Sequence, residues 1–301
     1  DPANPRTWSM NGVYYNPRAT YRPPMKADGT SFPNSSFTAA WVNGIKHNRP
    51  TNQQSSTIYD LSKDTTKQGR RFCDSTAGWY QLKSGVTLTL GADGKLDSAS
   101  LTRLYTPGNW EWVDLPLAQR QNFANWYSYY HTRVLAAISA TSLAYADFDD
   151  SIHVAWQNIN ANTSDNPWVS NTNTTLDAFA GTTRDNFYDW LLNSPSTGST
   201  PNQAAAKRVG ELFTRGKGVK NSKNPYWDEE TQRELSCRKN FHIQMTDGMW
   251  NGSTQTVAQT DTTAATLPDG RDYSVSDLQT KIFWNEGSAA QKTMADIAFH
   301  Y

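Results

Sequence analysis

Between Leu117 and Ala146, the residues Phe123, Trp126, Tyr127, Tyr130, Val134, Leu135, Ile138 and Leu143 recur at intervals of three and four. That spacing lays one apolar stripe along a single long helix, and such a stripe must be covered by other elements. The stripe also divides the chain. Before it, residues 1–117 are rich in Pro and Gly, with Asn, Ser and Thr clusters between short apolar runs. Trp79–Leu82 and Val86–Leu90 alternate as strands do, and no long helix is predicted there. Leu90-Gly91-Ala92-Asp93-Gly94 predicts a turn between two strands, because Asp-Gly tolerates positive φ.

After the stripe, Ile152, Val154 and Trp156 alternate with His153, Ala155 and Gln157, which predicts a strand over Ile152–Ile159. A helix is expected at Arg184–Leu192, then a turn over 193–199. Pro201–Arg215 reads as a further helix, with Pro201 in its first position and Thr200 and Gln203 spaced as a capping box. Lys217–Glu234 is charged and reads as loop or short helix. Phe241-His242-Ile243-Gln244-Met245 predicts a strand ending at Thr246-Asp247-Gly248, and Ser288–Tyr301 regains helical spacing. Alternating helices and strands from residue 118 on predict an α/β domain, a mostly parallel sheet flanked by helices. The expected organisation is therefore a β-rich subdomain over 1–117 and an α/β core over 118–301. In open sheets of this kind ligands bind beyond the carboxyl ends of the strands, which is where Asp247 falls.

Composition narrows the function. Lys plus Arg and Asp plus Glu both number 28, so there is no basic footprint for nucleic acid or an anionic membrane surface. No run approaches the roughly 20 apolar residues of a membrane span. The first residues lack the basic and apolar regions of a signal peptide, so either a signal has been removed or Asp1 is not the natural start. Polarity carried by Asn, Thr, Ser and Gln, together with 12 Trp and 14 Tyr, fits an exported, surface-displayed protein. Cys73 and Cys237 belong to no Cys/His cluster, which argues against zinc; in an oxidising compartment they pair, and otherwise they remain two thiols.

Catalytic signatures are missing. The five histidines are scattered, there is no His-Glu-x-x-His and no Gly-x-Ser-x-Gly, and Glu229–Glu230 and Asp149–Asp150 read as solvated loop faces. The chain is read as a non-enzyme. Two loop residues do suggest chemistry: Thr200 and Asp247 offer a hydroxyl and a carboxylate, the oxygen ligands a hard divalent cation takes. The plainer alternatives are a helix cap at Thr200 and a turn at Asp247. Exposed aromatic rings would instead suit a carbohydrate-binding module, for which Trp110, Trp112 and Trp250 are the candidates; Trp126, Trp156 and Trp190 fall on apolar faces and read as core.

Several stretches, in order, resemble the PilY/PilC family of type IV pilus tip-associated proteins. They are Tyr14-Tyr15-Asn16-Pro17 with Tyr21-Arg22-Pro23-Pro24, Asn122-Phe123-Ala124-Asn125-Trp126-Tyr127-Ser128-Tyr129-Tyr130, Thr132–Ala137, Gly198–Pro201, Cys237–Phe241, Thr246–Asn251 and Met294–Ala298. The run Asn122–Ala137 is the most specific, because an amphipathic helix needs only its stripe. This resemblance implies a von Willebrand factor A-like fold, with residues 1–117 as a family-specific insertion and the first strand upstream of residue 1. It implies a metal-ion-dependent adhesion site in which Thr200 and Asp247 match the second and third loops. The first loop, Asp-x-Ser-x-Ser, is absent; Asp97-Ser98-Ala99-Ser100 has the wrong spacing and Asp149-Asp150-Ser151 precedes a strand. A divalent cation, Mg2+, Mn2+ or Ca2+, is thus expected only with that upstream loop. The resemblance further implies an adhesion and pilus-assembly role, with twitching motility, at the pilus tip, cell surface or outer membrane of a Gram-negative bacterium. Its implied partners are minor pilins or a pilus tip complex, a host or surface receptor, and a segment or chain supplying the missing strand.

Overall fold

A computed structural model of the chain describes residues 6–63, 76–160, 175–194, 198–214, 219–221, 223–235, 237–246, 248–257, 264–266, 270–274 and 293–301. In chain order the elements are β1 (Ala40–Trp41), α1 (Gly44–Asn48), β2 (Ile58–Tyr59), β3 (Gly78–Leu82), α2 (Ser98–Leu104), β4 (Trp110–Asp114), α3 (Arg120–Tyr129), α4 (Arg133–Ala144), β5 (His153–Val154) and β6 (Asp177–Ala178). They continue as α5 (Gly181–Asn193), α6 (Asn202–Thr214), β7 (Trp227–Asp228), β8 (Arg233–Glu234), β9 (Ala265–Thr266), β10 (Asp272–Tyr273) and α7 (Met294–His300). The chain divides into two compact units, residues 1–147 with 185–193, and residues 148–184 with 194–301.

The first unit is built around α3. Every residue from Phe123 to Tyr129 on this helix is buried, so it is covered on all sides and not along one stripe. Phe123, Trp126 and Tyr127 pack with Tyr14, Tyr15, Ala40, Leu61, Ala77 and Trp79. Trp79 arrives on β3, which pairs antiparallel with β4 from Gly78 opposite Asp114 to Leu82 opposite Trp110. The polar groups of α3 are spent on the loop over residues 13–35. Trp126 Nε1 donates to the Val13 carbonyl at 2.9 Å, the Tyr129 hydroxyl to Pro33 O at 2.8 Å, and the Ser128 and Ser35 hydroxyls meet at 2.6 Å. Asn125, 5% exposed, accepts the Ser35 N–H at 2.9 Å and donates to the Tyr21 carbonyl at 3.1 Å and to Asn34 Oδ1 at 2.9 Å. An irregular loop can be buried only when its backbone groups find such partners.

The stripe over 117–146 forms two helices, where one long helix was expected. Tyr130 leaves the helical region at φ −139°, and Thr132 caps the next helix by accepting the Leu135 N–H at 3.2 Å. The Ser139 hydroxyl then donates to the Tyr129 carbonyl at 2.7 Å, tying α4 back onto the freed end of α3. The period of three and four runs on across the break, so the break leaves no mark in the apolar pattern. Helix α5 is longer than expected, and its Tyr188 hydroxyl donates to Ser142 O at 2.9 Å.

The turn over 90–95 is present: Gly94 lies at φ +74° and Gly91 N–H donates to Lys95 O at 2.7 Å. Of the strands expected on either side, only a single Leu90–Leu96 bridge forms. The run before it is held by α2, with Thr89 N–H donating to Ser100 Oγ at 2.8 Å and Arg103 Nη1 to Thr87 O at 3.1 Å.

In the second unit α6 packs against α7, where Gly210 admits the Tyr301 ring: a Cβ at Gly210 would lie 2.1 Å from Tyr301 Cδ2. The Arg208 guanidinium donates to Gln157 Oε1 at 2.8 Å and to Ile159 O at 2.9 Å, holding the segment after β5 on α6. Within 217–234, expected as loop or short helix, β7 and β8 form a hairpin. Its turn is closed by Asp228, whose carboxylate accepts from Glu230 N–H at 3.0 Å and from the Thr231 hydroxyl at 2.6 Å. All strand pairs among the described residues are two-stranded and antiparallel. Of Ile152–Ile159 only His153–Val154 is paired, and Phe241–Met245 forms no strand ladder. No helix among the described residues is long and apolar enough to cross a membrane.

Candidate functional site

The loop entering α6 is clasped by a segment that follows it by some fifty residues. Thr200 N–H donates to Asn251 Oδ1 at 2.7 Å, and Asn251 N–H donates back to the Thr200 carbonyl at 3.1 Å. The same carbonyl accepts from Asn202 N–H at 2.9 Å, so one oxygen both holds the turn that precedes α6 and anchors the second loop. Gly252 follows at φ +117°, a conformation L side chains rarely adopt, and a Cβ there would come within 3.0 Å of Pro201 Cβ. Further along, Gln255 N–H donates to Oε1 of the buried Gln203 at 2.8 Å. Gln203 therefore holds the 251–257 segment, and the Thr200 N–H expected for a reciprocal cap goes to Asn251 instead. On the other side Gln244 Nε2 reaches the Asn202 carbonyl at 3.4 Å.

Oxygen atoms gather at this end of α6. The half-buried Thr200 hydroxyl has no hydrogen-bond partner among the described residues. Asn202 Oδ1 and Gln244 Oε1 are buried and likewise unpartnered. Neutral oxygen donors of this type suit Mg2+, Mn2+ or Ca2+ chemically, but a divalent ion also needs carboxylate charge. Asp247 lies outside the described residues, and among the described residues no group of three His, Cys, Asp or Glu is placed to hold a metal.

Trp110 is 5% exposed, packs with Leu104, and donates its indole N–H to the Leu104 carbonyl at 2.9 Å. Trp112 is half-buried, lies edge-on to Tyr80 and donates to Asp114 Oδ1 at 3.0 Å. Trp250, 44% exposed, is the one of the three indoles open to solvent, and it sits in the loop that clasps α6. Cys237 is exposed and its thiol is free; Cys73 lies outside the described residues. Asp97 caps α2 by accepting from Ser100 N–H at 2.6 Å, and this bond holds its carboxyl below the usual range. Asp149 closes a local turn with Ser151 N–H at 3.0 Å.

Asn251 and Gln244 were not singled out from the sequence, and Gln203 was read only as half of a capping box. The available signal was Asn251-Gly252, a pair suited to positive φ next to a tight contact.

The chain is 34% identical, over 97% of its length, to the type IV pilus biogenesis factor PilY1 of Pseudomonas aeruginosa strain PAK, and 33% identical over 97% to that of strain PAO1. A third, from strain UCBPP-PA14, is 31% identical over 98% of the chain. The shared class is that of type IV pilus proteins. Within it, the chain belongs to the PilY family, and it spans about a quarter of the length of the curated relatives it matches. No family model matches the chain, and no solved structure does.

Proposed function

We propose that this chain is the partner-binding region of a type IV pilus biogenesis factor displayed at the pilus tip or cell surface, where it supports attachment and twitching motility. Its role is binding and not catalysis. The observation that carries the reading is the mutual hydrogen bonding of Thr200 and Asn251. It joins two loops, each matched by a stretch that resembles the family's adhesion-site loops, at the start of one helix.

In this reading the fold is completed as a von Willebrand factor A-like domain, and the α6 end is its ligand-binding end. Thr200 and Asp247, with the upstream Asp-x-Ser-x-Ser loop, hold a divalent cation whose open position accepts a carboxylate from the partner. Thr200 supplies a neutral oxygen and Asp247 supplies charge. Minor pilins or a tip complex are the partners in assembly, and a host or surface receptor is the partner in attachment. In the oxidising compartment of an exported protein, this reading has Cys237, a free thiol in the structure, pair with Cys73.

The test is calorimetric titration of Mn2+ into a polypeptide extended upstream to include the first loop. Saturable binding that Asp247→Ala abolishes and Thr200→Ala weakens supports the site; equal binding by wild type and Asp247→Ala rules it out.

A further inference from the structure

Asparagine is followed by glycine at Asn11-Gly12, Asn43-Gly44 and Asn251-Gly252. In such a pair the glycine nitrogen can attack the asparagine carboxamide, because the two close a five-membered ring and no glycine Cβ hinders the approach. Whether a given pair reacts depends on a nucleophile free of hydrogen bonds, on access for water and base, and on stabilisation of the charge that develops on Oδ1.

Two of the pairs are held back by their surroundings. Asn43 caps α1, and Gly44 is buried in the first position of that helix against the Tyr129 ring. Asn11-Gly12 lies inside a turn closed by the Tyr14 N–H on the Asn11 carbonyl at 2.8 Å, and Asn11 Oδ1 accepts the Val13 N–H only at 3.3 Å. Asn251-Gly252 meets all three conditions. Both residues are exposed. Among the described residues neither the Gly252 N–H nor Asn251 Nδ2 has a hydrogen-bond partner, so nucleophile and leaving group are both free. The side-chain oxygen, by contrast, is held: it accepts the Thr200 N–H at 2.7 Å. That bond polarises Cγ and lies where the oxyanion forms.

We infer that Asn251 modifies itself, losing its carboxamide nitrogen without the help of another protein. Solvent base takes the Gly252 N–H proton, the nitrogen attacks Asn251 Cγ, and Nδ2 leaves as ammonia, giving a succinimide that water then opens. One water is consumed and one ammonia released, with no change of oxidation state. Water attacking Cγ yields aspartate, whereas attack at the main-chain carbonyl yields isoaspartate; the Thr200 N–H on Oδ1 favours the first. The new carboxylate lies beside the loop entering the 13-residue helix α6, whose N-terminus favours negative charge. The step needs no cation and no partner, so it stands apart from the adhesion reading.

The experiment is ageing of the full-length protein in mildly alkaline buffer made with heavy-oxygen water, folded and unfolded in guanidinium, followed by peptide mapping by mass spectrometry. One hydrogen bond to a developing charge is worth about tenfold in rate. Asn251 should therefore convert about tenfold faster in the folded protein than in the unfolded, taking up one heavy oxygen and giving a higher proportion of aspartate to isoaspartate. Asn11 and Asn43 should convert more slowly folded than unfolded. Conversion of Asn251 no faster in the folded protein, an unchanged proportion of the two products, or equal acceleration at Asn11 or Asn43 would overturn the proposal.

Discussion

The Tyr21 backbone N–H donates to Asn122 Oδ1 at 2.8 Å, across 101 positions of sequence. Asn125, one turn on, donates to the carbonyl of the same tyrosine at 3.1 Å, so both backbone groups of Tyr21 are held by carboxamides of α3. The Asn-x-x-Asn-Trp-Tyr-Ser-Tyr-Tyr run therefore has a physical reason beyond its apolar stripe: its polar atoms are the partners of a partly buried irregular loop.

Asn125→Ala should cost about 2 to 3 kcal/mol, because it strands the buried Ser35 N–H as well as removing the bonds to Tyr21 and Asn34. Asn122→Ala should cost less, about 1 kcal/mol, since Asn122 is only half-buried and water can enter. Urea unfolding midpoints with an unchanged slope would measure both.

Alkaline pH should destabilise the first unit. Burial pushes the Tyr130 hydroxyl up to about 12 and the Tyr129 hydroxyl higher still, against an unfolded value of about 10. The folded state holds these protons more tightly, so their contribution is intact below about pH 10 and is lost as pH rises through the folded values. Stability measured from pH 8 to 12 should fall above pH 10, and Tyr129→Phe with Tyr130→Phe should flatten that fall while lowering stability at pH 8 through the lost bonds to Pro33 and Arg22.

On an open helix surface Gly→Ala gains roughly 0.5 to 1 kcal/mol. Gly210→Ala should instead release α7, because the new methyl would overlap the Tyr301 ring. Amide exchange over 294–300 should speed up in Gly210→Ala. In a Tyr301→Ala background the same substitution should become stabilising.

The start of α4 rests on one hydroxyl. Thr132→Val should cost about 1 kcal/mol by leaving the Leu135 N–H uncapped, whereas Thr132→Ser should be close to neutral. Thermal unfolding of the pair distinguishes a cap from simple side-chain packing.

Local periodicity made α5, α6 and β3 legible in the sequence, since Phe187, Tyr188, Leu191 and Leu192 recur on one helical face and Trp79–Leu82 alternate. The break at Tyr130–Thr132 was not, because the apolar spacing passes through it and only a capping threonine marks it. The alternation in Phe241–Met245 predicted a strand that is not present, because a ladder also needs a partner and none of the described residues supplies one. At the α6 end, Thr200 was found through its position before Pro201. Its clasp by Asn251 was hidden, because one bond joins backbone groups and the other sets the Asn251 side chain on a backbone N–H, which any residue at position 200 but proline would offer.

The central proposal is that Thr200, at the α6 end, acts with Asp247 to bind this protein's partner. It is tested most directly by surface attachment of bacteria whose PilY-family gene carries Asp247→Ala, with surface pilus number counted in the same cells. The account predicts piliated cells that attach poorly, and a smaller loss with Thr200→Ala. Wild-type attachment by piliated Asp247→Ala cells would contradict it.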